Sequence, residues 1–391
     1  MISETFCAAP WTVHNINADG SNTICCVNHK IKYQGDRTEW LRSDEMQEVK
    51  RRMLNGESVK GCGKCYGHDA DGTKSLRRVY NERTANLINI RRLRDPLYSE
   101  IAWFDISISN KCNQKCRICG PYNSTAWYKD AAELADLNWS HTKMPTHNAD
   151  SSIPRVTEII KLMQSSASPL TIEMKGGEPL YIPENRQLLK QMIALGLHER
   201  TEELRIITNG TQQDAELLSL LQQFPTLNIA LSIDATGKLH EYVRGSNLSW
   251  DQCRRRWHDL TNLSNLKTLR VANTIYAYTI FDLGNLRTWI ESEFGQGLDH
   301  ADSLLHDPPY LRAKLVPQHM REIAASRLSS DDDMRDILQQ TISDTEFGTE
   351  FPIEEEIEWL TLKFKQFTRR LDRLRGESLV ELVPELAPMM A

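Results

Sequence analysis

Alternating strand-like and helix-like segments over residues 99–318 predict an α/β fold with a parallel sheet, preceded by a cysteine-rich module and followed by a helical segment. Three observations carry this expectation. Six short runs rich in β-branched and aromatic residues are separated by stretches of helical periodicity, the pattern of strands joined by right-handed crossovers. Eight of the nine cysteines lie before residue 120. After residue 319 the chain turns charged and helical. At 391 residues it is long for one domain and suits a large domain with smaller neighbours, so the expected divisions are 1–98, 99–318 and 319–391.

Residues 1–98 carry five cysteines and turn-like pieces such as Asn17-Ala18-Asp19-Gly20, with helical periodicity only near 39–55 and 75–94. So short a segment struggles to build a core alone, which points to a metal-stapled module. The strand candidates are 101–109, 170–175, 204–208, 227–233, 269–280 and 310–316. Helix-like stretches lie near 122–137, 155–165, 185–196, 212–223, 250–263 and 284–293. Periodicity alone leaves a doubly wound open sheet and a partial barrel in competition. Beyond 319, Asp331-Asp332-Asp333 reads as a loop and 353–375 as a helix, with Gly376 suited to its C-terminus.

Composition narrows the function classes. Hydrophobic content of 40% and charged content of 26% are those of a soluble globular protein. No apolar run approaches the roughly 18–20 residues of a membrane span, and the N-terminus lacks the basic start and apolar core of a signal peptide. A cytoplasmic protein without a membrane partner is expected. The net charge of −6, from 47 basic and 53 acidic residues, argues against a nucleic-acid partner. In a reducing compartment clustered cysteines bind metal or do redox work; Cys253, alone in a helix-like stretch, reads as a packing thiol.

Cys112, Cys116 and Cys119 follow the strand candidate 101–109 in one tight loop ending at Gly120. Three thiolates satisfy three irons of a 4Fe–4S cube and leave the fourth open to a substrate or cofactor, whereas most electron-transfer clusters have four cysteine ligands. Zinc is the competing reading, although closed zinc sites take four ligands. Gly176-Gly177-Glu178-Pro179 follows the strand candidate 170–175. Its glycines permit positive φ and close approach to a ligand, and Glu178 offers a carboxylate to a ligand ammonium. A plain strand-to-helix turn is the alternative. Later strand ends bring Thr208-Asn209-Gly210-Thr211 and Ser232-Ile233-Asp234, with Arg244 downstream. Ser232 and Asp234, two apart, share a face if both lie in a strand.

The CxxxCxxC loop, followed in order by GGEP and the polar strand ends, resembles the radical S-adenosylmethionine (radical SAM) superfamily. The resemblance selects a six-stranded partial (β/α)6 TIM-like barrel, whose active site lies at the C-terminal ends of the strands. It implies a catalytic 4Fe–4S cluster on Cys112, Cys116 and Cys119. It also implies S-adenosylmethionine as cofactor: its amino group at Gly176, Gly177, Glu178 and Pro179, its ribose near Asn209, Ser232 and Asp234, and its carboxylate at Arg244. Reductive cleavage of that cofactor gives a 5′-deoxyadenosyl radical that takes a hydrogen atom from the substrate. The expected partners are a peptide or small-molecule substrate and an electron donor such as a flavodoxin or ferredoxin.

In the N-terminal module, Cys7, the Gly20–Cys25-Cys26 stretch and Cys62-Gly63-Lys64-Cys65 are similar to the twitch or SPASM modules of the same superfamily. These imply a second, auxiliary 4Fe–4S cluster on Cys7, Cys25, Cys62 and Cys65. Cys26 is the expected spare, because the Gly20-to-Cys25 interval fits a hairpin return and the next residue of a strand faces the other way. Four cysteines with one CxxC also suit zinc. Such a module normally follows the barrel, and here it precedes it. A closed auxiliary cluster favours an oxidoreductase outcome over a redox-neutral rearrangement. Tyr276, Tyr278, Asn273 and His306 are candidates for the substrate side. The contrasting function is a non-catalytic iron–sulfur or zinc protein binding RNA or a protein partner, which would make GGEP and the strand-end residues coincidental.

Overall fold

In a computed structural model, which describes residues 3–391 apart from 71–73, 96, 138, 146–152, 167–168 and 340–352, the strands form one sheet in the order β3-β2-β1-β4-β5-β6-β7-β8-β9. The strands are β1 (Val13–Ile16), β2 (Asn22–Thr23), β3 (Lys32–Tyr33), β4 (Trp103–Ile106), β5 (Leu170–Met174), β6 (Thr201–Thr208), β7 (Leu227–Ser232), β8 (Leu266–Ile275) and β9 (Asp299–Leu304). From β4 to β9 the spatial order follows the chain and every pairing is parallel. A doubly wound sheet would reverse its order at a switch point. This one winds in a single direction, which is the connectivity of a partial barrel.

Side-chain alternation gives the sheet its two faces. One face carries Phe104, Ile106, Ile172, Met174, Leu204, Ile206, Ile229, Leu231 and Val271, packed in one core with Val156, Leu188, Leu217, Trp257 and Leu286 from the connecting helices. Cys253 is part of this core. The opposite face is polar. At one level across adjacent strands stand Asn15, Asp105, Glu173, Arg205, Asn228 and Thr268. A cleft of about 690 Å³, open to solvent, lies over it, lined in part by Glu173, Glu203, Arg205, Asn228 and Arg270, with Arg83 reaching in from the N-terminal module.

One expectation needs correction. The stretch 310–316 is not a strand: it forms two 3-10 turns, Pro309–Leu311 and Ala313–Leu315, and is joined to the chain just after β8 by a bridge from Tyr276 to Arg312. Pro308 and Pro309 lack the N–H groups that a ladder needs. The last strand is instead Asp299–Leu304, whose polar sequence hides it and whose pairing with β8 creates it. The N-terminal module packs around its own side chains as well as carrying its cysteines. It owns a core around Trp11, Trp40, Met46, Met53 and Tyr80 that includes Trp103 of β4, and β1 adds a parallel strand beside β4. The helix Ile353–Arg375 and the short helices after it form a second core with the end of β8 and the helix Gly237–Arg244, against which Ile118 and Cys119 pack. Among the described residues, no helix is long and apolar enough to cross a membrane.

Candidate active site

The three-cysteine loop leaves the C-terminal end of β4 and folds on its own polar groups. Cys119 N donates to Cys116 O (2.9 Å), Ser124 Oγ to Gln114 O (2.6 Å), and Asn110 Nδ2 to Pro121 O (3.0 Å). The thiols gather there. Burial pushes Cys112 up to about 12, with the neighbouring Cys116 adding to it, and raises Cys116 and Cys119 as well. Buried thiols that feel one another's charge stay protonated until a cationic centre stabilises them as thiolates. Three thiols from one loop are the ligand number that would hold a 4Fe–4S cluster with one open iron, although among the described residues no group of three His, Cys, Asp or Glu side chains is already arranged to hold a metal ion.

The turn after β5 seats that loop. Gly176 and Gly177 have φ of +74° and +54°. A Cβ on Gly176 would lie 1.6 Å from Ser107 Oγ, and one on Gly177 would lie 2.4 Å from Lys111 O. Gly177 thus admits the backbone of the cysteine loop, and Gly176 the Ser107 side chain. Glu178 N donates to Lys111 O at 2.9 Å. The Glu178 carboxylate accepts from Leu180 N (3.0 Å), Thr208 Oγ1 (2.5 Å) and Asn209 N (2.7 Å), so it ties the β5 turn to the end of β6. Pro179 sits in this turn, its carbonyl accepting from Asn185 Nδ2 at 3.1 Å. Asn209 closes the circuit, donating through Nδ2 to Asn113 Oδ1 of the cysteine loop at 3.0 Å.

Arg244, the last residue of the helix Gly237–Arg244, meets Cys116 and Asp234. Its Nη2 lies 2.8 Å from Asp234 Oδ1, and its Nη1 stands 4.0 Å from Cys116 Sγ. Asp234 Oδ1 also accepts from Thr274 N (2.9 Å). Ser232 ends β7, but Asp234 lies beyond the strand, so the shared-face expectation for the pair does not apply. Among the described residues Arg244 Nε, Asp234 Oδ2 and the Tyr276 hydroxyl are buried without a hydrogen-bond partner. Buried polar atoms of this kind call for a partner, and here they cluster around Cys116: the Cys116, Arg244 and Asp234 charges all act on Tyr276. Tyr278 is different, its hydroxyl bonded to Thr368 Oγ1 at 2.6 Å in the C-terminal core. Asn273 donates to Asp302 (3.2 Å), and the His306 carbonyl accepts from Arg312 Nε (2.7 Å).

Sequence inspection missed what holds the loop from its other side. Trp127 Nε1 donates to Cys116 O (2.9 Å), and Arg375 donates to Lys115 O (2.9 Å) and Asp130 (2.8 Å). Arg117, inside the motif, pairs with Asp372 and Glu377. Arg117, a charged residue between two cysteines of the motif, was the available signal.

In the N-terminal module, Cys7, Cys25, Cys62 and Cys65 line one cavity of about 380 Å³ including its open side. Cys26 is not among its lining residues; the charges that act on Cys26 are Asp105, Lys175, Cys25 and Glu173, on the polar face of the sheet. Cys25 and Cys26 both lie in a bend after β2 rather than in a strand, so their divergence comes from the bend. Asn28 Nδ2 donates to Cys62 Sγ (3.4 Å), a contact the spacing of the cysteines did not suggest.

Two predictions follow from this geometry. Gly177→Ala should destabilise the fold by about 1–3 kcal/mol and lower reconstituted iron, because the positive φ and the Lys111 carbonyl both exclude a Cβ; thermal melting and iron assay read the two effects. Glu178 has its affinity for a proton raised to about 6, burial outweighing its hydrogen bonds. The folded state then binds the proton more tightly than the unfolded chain, whose value is about 4.3, so this group adds stability as pH falls through about 6 and opposes folding above it. Relative to Glu178→Gln, the wild type should gain about 1.3 kcal/mol between about pH 7.5 and about pH 5 in denaturant melts. A constant difference across that range would contradict the buried, ionised carboxylate.

Part of the chain is similar to known proteins. Residues 106–260 match the model of the Radical SAM superfamily, a span that contains the three cysteines, the double glycine, Asn209, Asp234 and Arg244. The radical SAM cyclopropyl synthase TigE of Paramaledivibacter caminithermalis is 22% identical over 191 residues, 48% of this chain and 38% of that protein. Among solved structures, anSMEcpe with bound AdoMet is 13% identical with a TM-score of 0.39, covering 71% of this chain and 62% of that one. Streptococcus suis SuiB bound to S-adenosylmethionine is 13% identical with a TM-score of 0.38, covering 77% and 63%. The chain thus spans under two thirds of the length of each of these relatives. Over residues 106–260 the chain is thus similar to the Radical SAM superfamily.

Proposed function

We propose that this chain is a radical SAM enzyme in which Cys112, Cys116 and Cys119 hold a 4Fe–4S cluster with one open iron and S-adenosylmethionine binds beside it. The observation that carries this reading is the set of three mutually coupled thiols at the end of β4, with the unpartnered polar atoms of Arg244 and Asp234 close by. When bound, cluster and cofactor supply a 5′-deoxyadenosyl radical that takes a hydrogen atom from the substrate. The chain's own residues bind and orient. Arg244 Nε is available to the cofactor's carboxylate, and Asp234 Oδ2, with Ser232 and Asn209, to its ribose. The turn Gly176-Gly177-Glu178-Pro179 serves its amino group, although three hydrogen bonds already occupy the Glu178 carboxylate. The polar cleft beneath these strand ends supports a small polar molecule or a peptide segment as substrate. A flavodoxin or ferredoxin is the proposed electron donor.

Cys7, Cys25, Cys62 and Cys65 are the proposed ligands of an auxiliary 4Fe–4S cluster in a twitch-like or SPASM-like module, supported by their common cavity. One zinc ion would instead draw the same four thiolates to about 2.3 Å from a single point. Four ligands close every iron, which suits electron transfer and a net oxidation of substrate.

Anaerobically reconstituted protein should carry about eight irons, two cubes. Replacing Cys112, Cys116 and Cys119 together with alanine should remove about half. Cys25→Ala should lose iron and Cys26→Ala should keep it all; the reverse pattern exchanges their roles. With dithionite and S-adenosylmethionine the wild type should release 5′-deoxyadenosine, measured by chromatography, and Cys116→Ala should release none. Cleavage that survives the loss of the loop's cysteines would remove the catalytic assignment.

A further inference from the structure

Arg117 stands between Cys116 and Cys119 in the chain, and its side chain is 0% exposed. Its backbone N donates to Val243 O (2.8 Å), its Nε to Tyr242 O (3.3 Å), and its guanidinium lies 3.5 Å from the centre of the Tyr242 ring. Two carboxylates close on one nitrogen: Asp372 Oδ1 at 2.6 Å and Glu377 Oε2 at 2.5 Å from Nη2. Asp372 is fixed in turn by the Tyr242 hydroxyl (2.8 Å) and Leu379 N (2.9 Å). A buried cation needs one counter-ion. A second carboxylate adds repulsion against the first and gives this group an excess of one negative charge, which offsets the excess positive charge of Lys115 and Arg375 on Asp130. Further ion pairs around the loop are Arg244 on Asp234 and Lys111 on Glu184.

We infer that the carboxylate pair Asp372 and Glu377, supplied by the C-terminal segment through Arg117, holds down the reduction potential of the cluster on Cys112, Cys116 and Cys119. This rests on the proposal that those cysteines carry a cluster. Reduction adds one electron, taking the cube from its 2+ to its 1+ state, with dithionite as donor in the test and no proton or bond change in the protein. Negative charge nearby opposes that step, and burial strengthens the opposition because little water screens it. A lower potential makes the reduced cluster the stronger donor toward the cofactor's sulfonium. Asp372 and Glu377 touch neither cluster nor cofactor. They are positioning residues that act through Arg117.

The test is an EPR-monitored redox titration of the full-length reconstituted protein, following the signal that changes when S-adenosylmethionine is added. Asp372→Asn and Glu377→Gln should each shift the midpoint potential positive with iron content retained, and Asp372→Glu should restore it. The shift should be larger for Asp372→Asn, since the Glu377 side chain is 29% exposed and partly screened. If Asp372→Asn does not fold, Glu377→Gln carries the test alone. An unchanged potential in a variant that keeps its iron, or iron loss with no shift in the cluster that remains, reduces the pair to a structural clamp and overturns the inference. A wild type with no signal responsive to S-adenosylmethionine overturns the cluster assignment itself, and the inference with it.

Discussion

The site depends on how closely the turn after β5 approaches the loop after β4. Gly177 lies against the Lys111 carbonyl so tightly that a Cβ would come within 2.4 Å of it, and Glu178 N donates to that same carbonyl. From this contact the geometry propagates. Glu178 reaches on to Thr208 and Asn209, and Asn209 reaches back to Asn113. Three strand ends and the cysteine loop are therefore one hydrogen-bonded unit, and the thiols are aimed by backbone packing rather than by their own short loop.

The opposite side of the loop is held by charge. Lys115, Arg117, Arg244 and Arg375 meet Asp130, Asp234, Asp372 and Glu377, four cations against four carboxylates. Removing one partner of a buried pair typically costs about 3–5 kcal/mol, since the other charge is left without compensation. The C-terminal helix supplies Asp372 and Arg375, and the turn after it supplies Glu377, which gives that segment a role at the site rather than a position merely beside it. The N-terminal module meets the barrel at the sheet instead, through β1 beside β4 and through Arg83, which lies over Trp103 at 5.5 Å from the ring centre.

The parts of the site that were legible in the sequence are those written in local spacing. CxxxCxxC, the double glycine and the alternating strands each occupy a few consecutive residues, and the helix periodicity between them is equally local. What was hidden is long-range. Arg117 and Asp372 are 255 residues apart, and no short window relates them. The strand Asp299–Leu304 is polar and is a strand because β8 offers it a ladder, while the more apolar 310–316 is broken by the prolines before it. The double glycine was recognised as a place of close approach, but its contacts with Ser107 and Lys111 were not, because a sequence does not say which piece of chain comes near.

The central claim is that the loop after β4 holds a cluster with one iron left for the cofactor. It is tested most directly by Mössbauer spectroscopy of iron-57 protein carrying Cys62→Ala and Cys65→Ala, with and without S-adenosylmethionine. The expected result is that about one iron of the four in the cube changes its parameters on addition of the cofactor while the other three keep theirs. A spectrum indifferent to S-adenosylmethionine, from protein with the loop's three cysteines intact and iron bound, would contradict it.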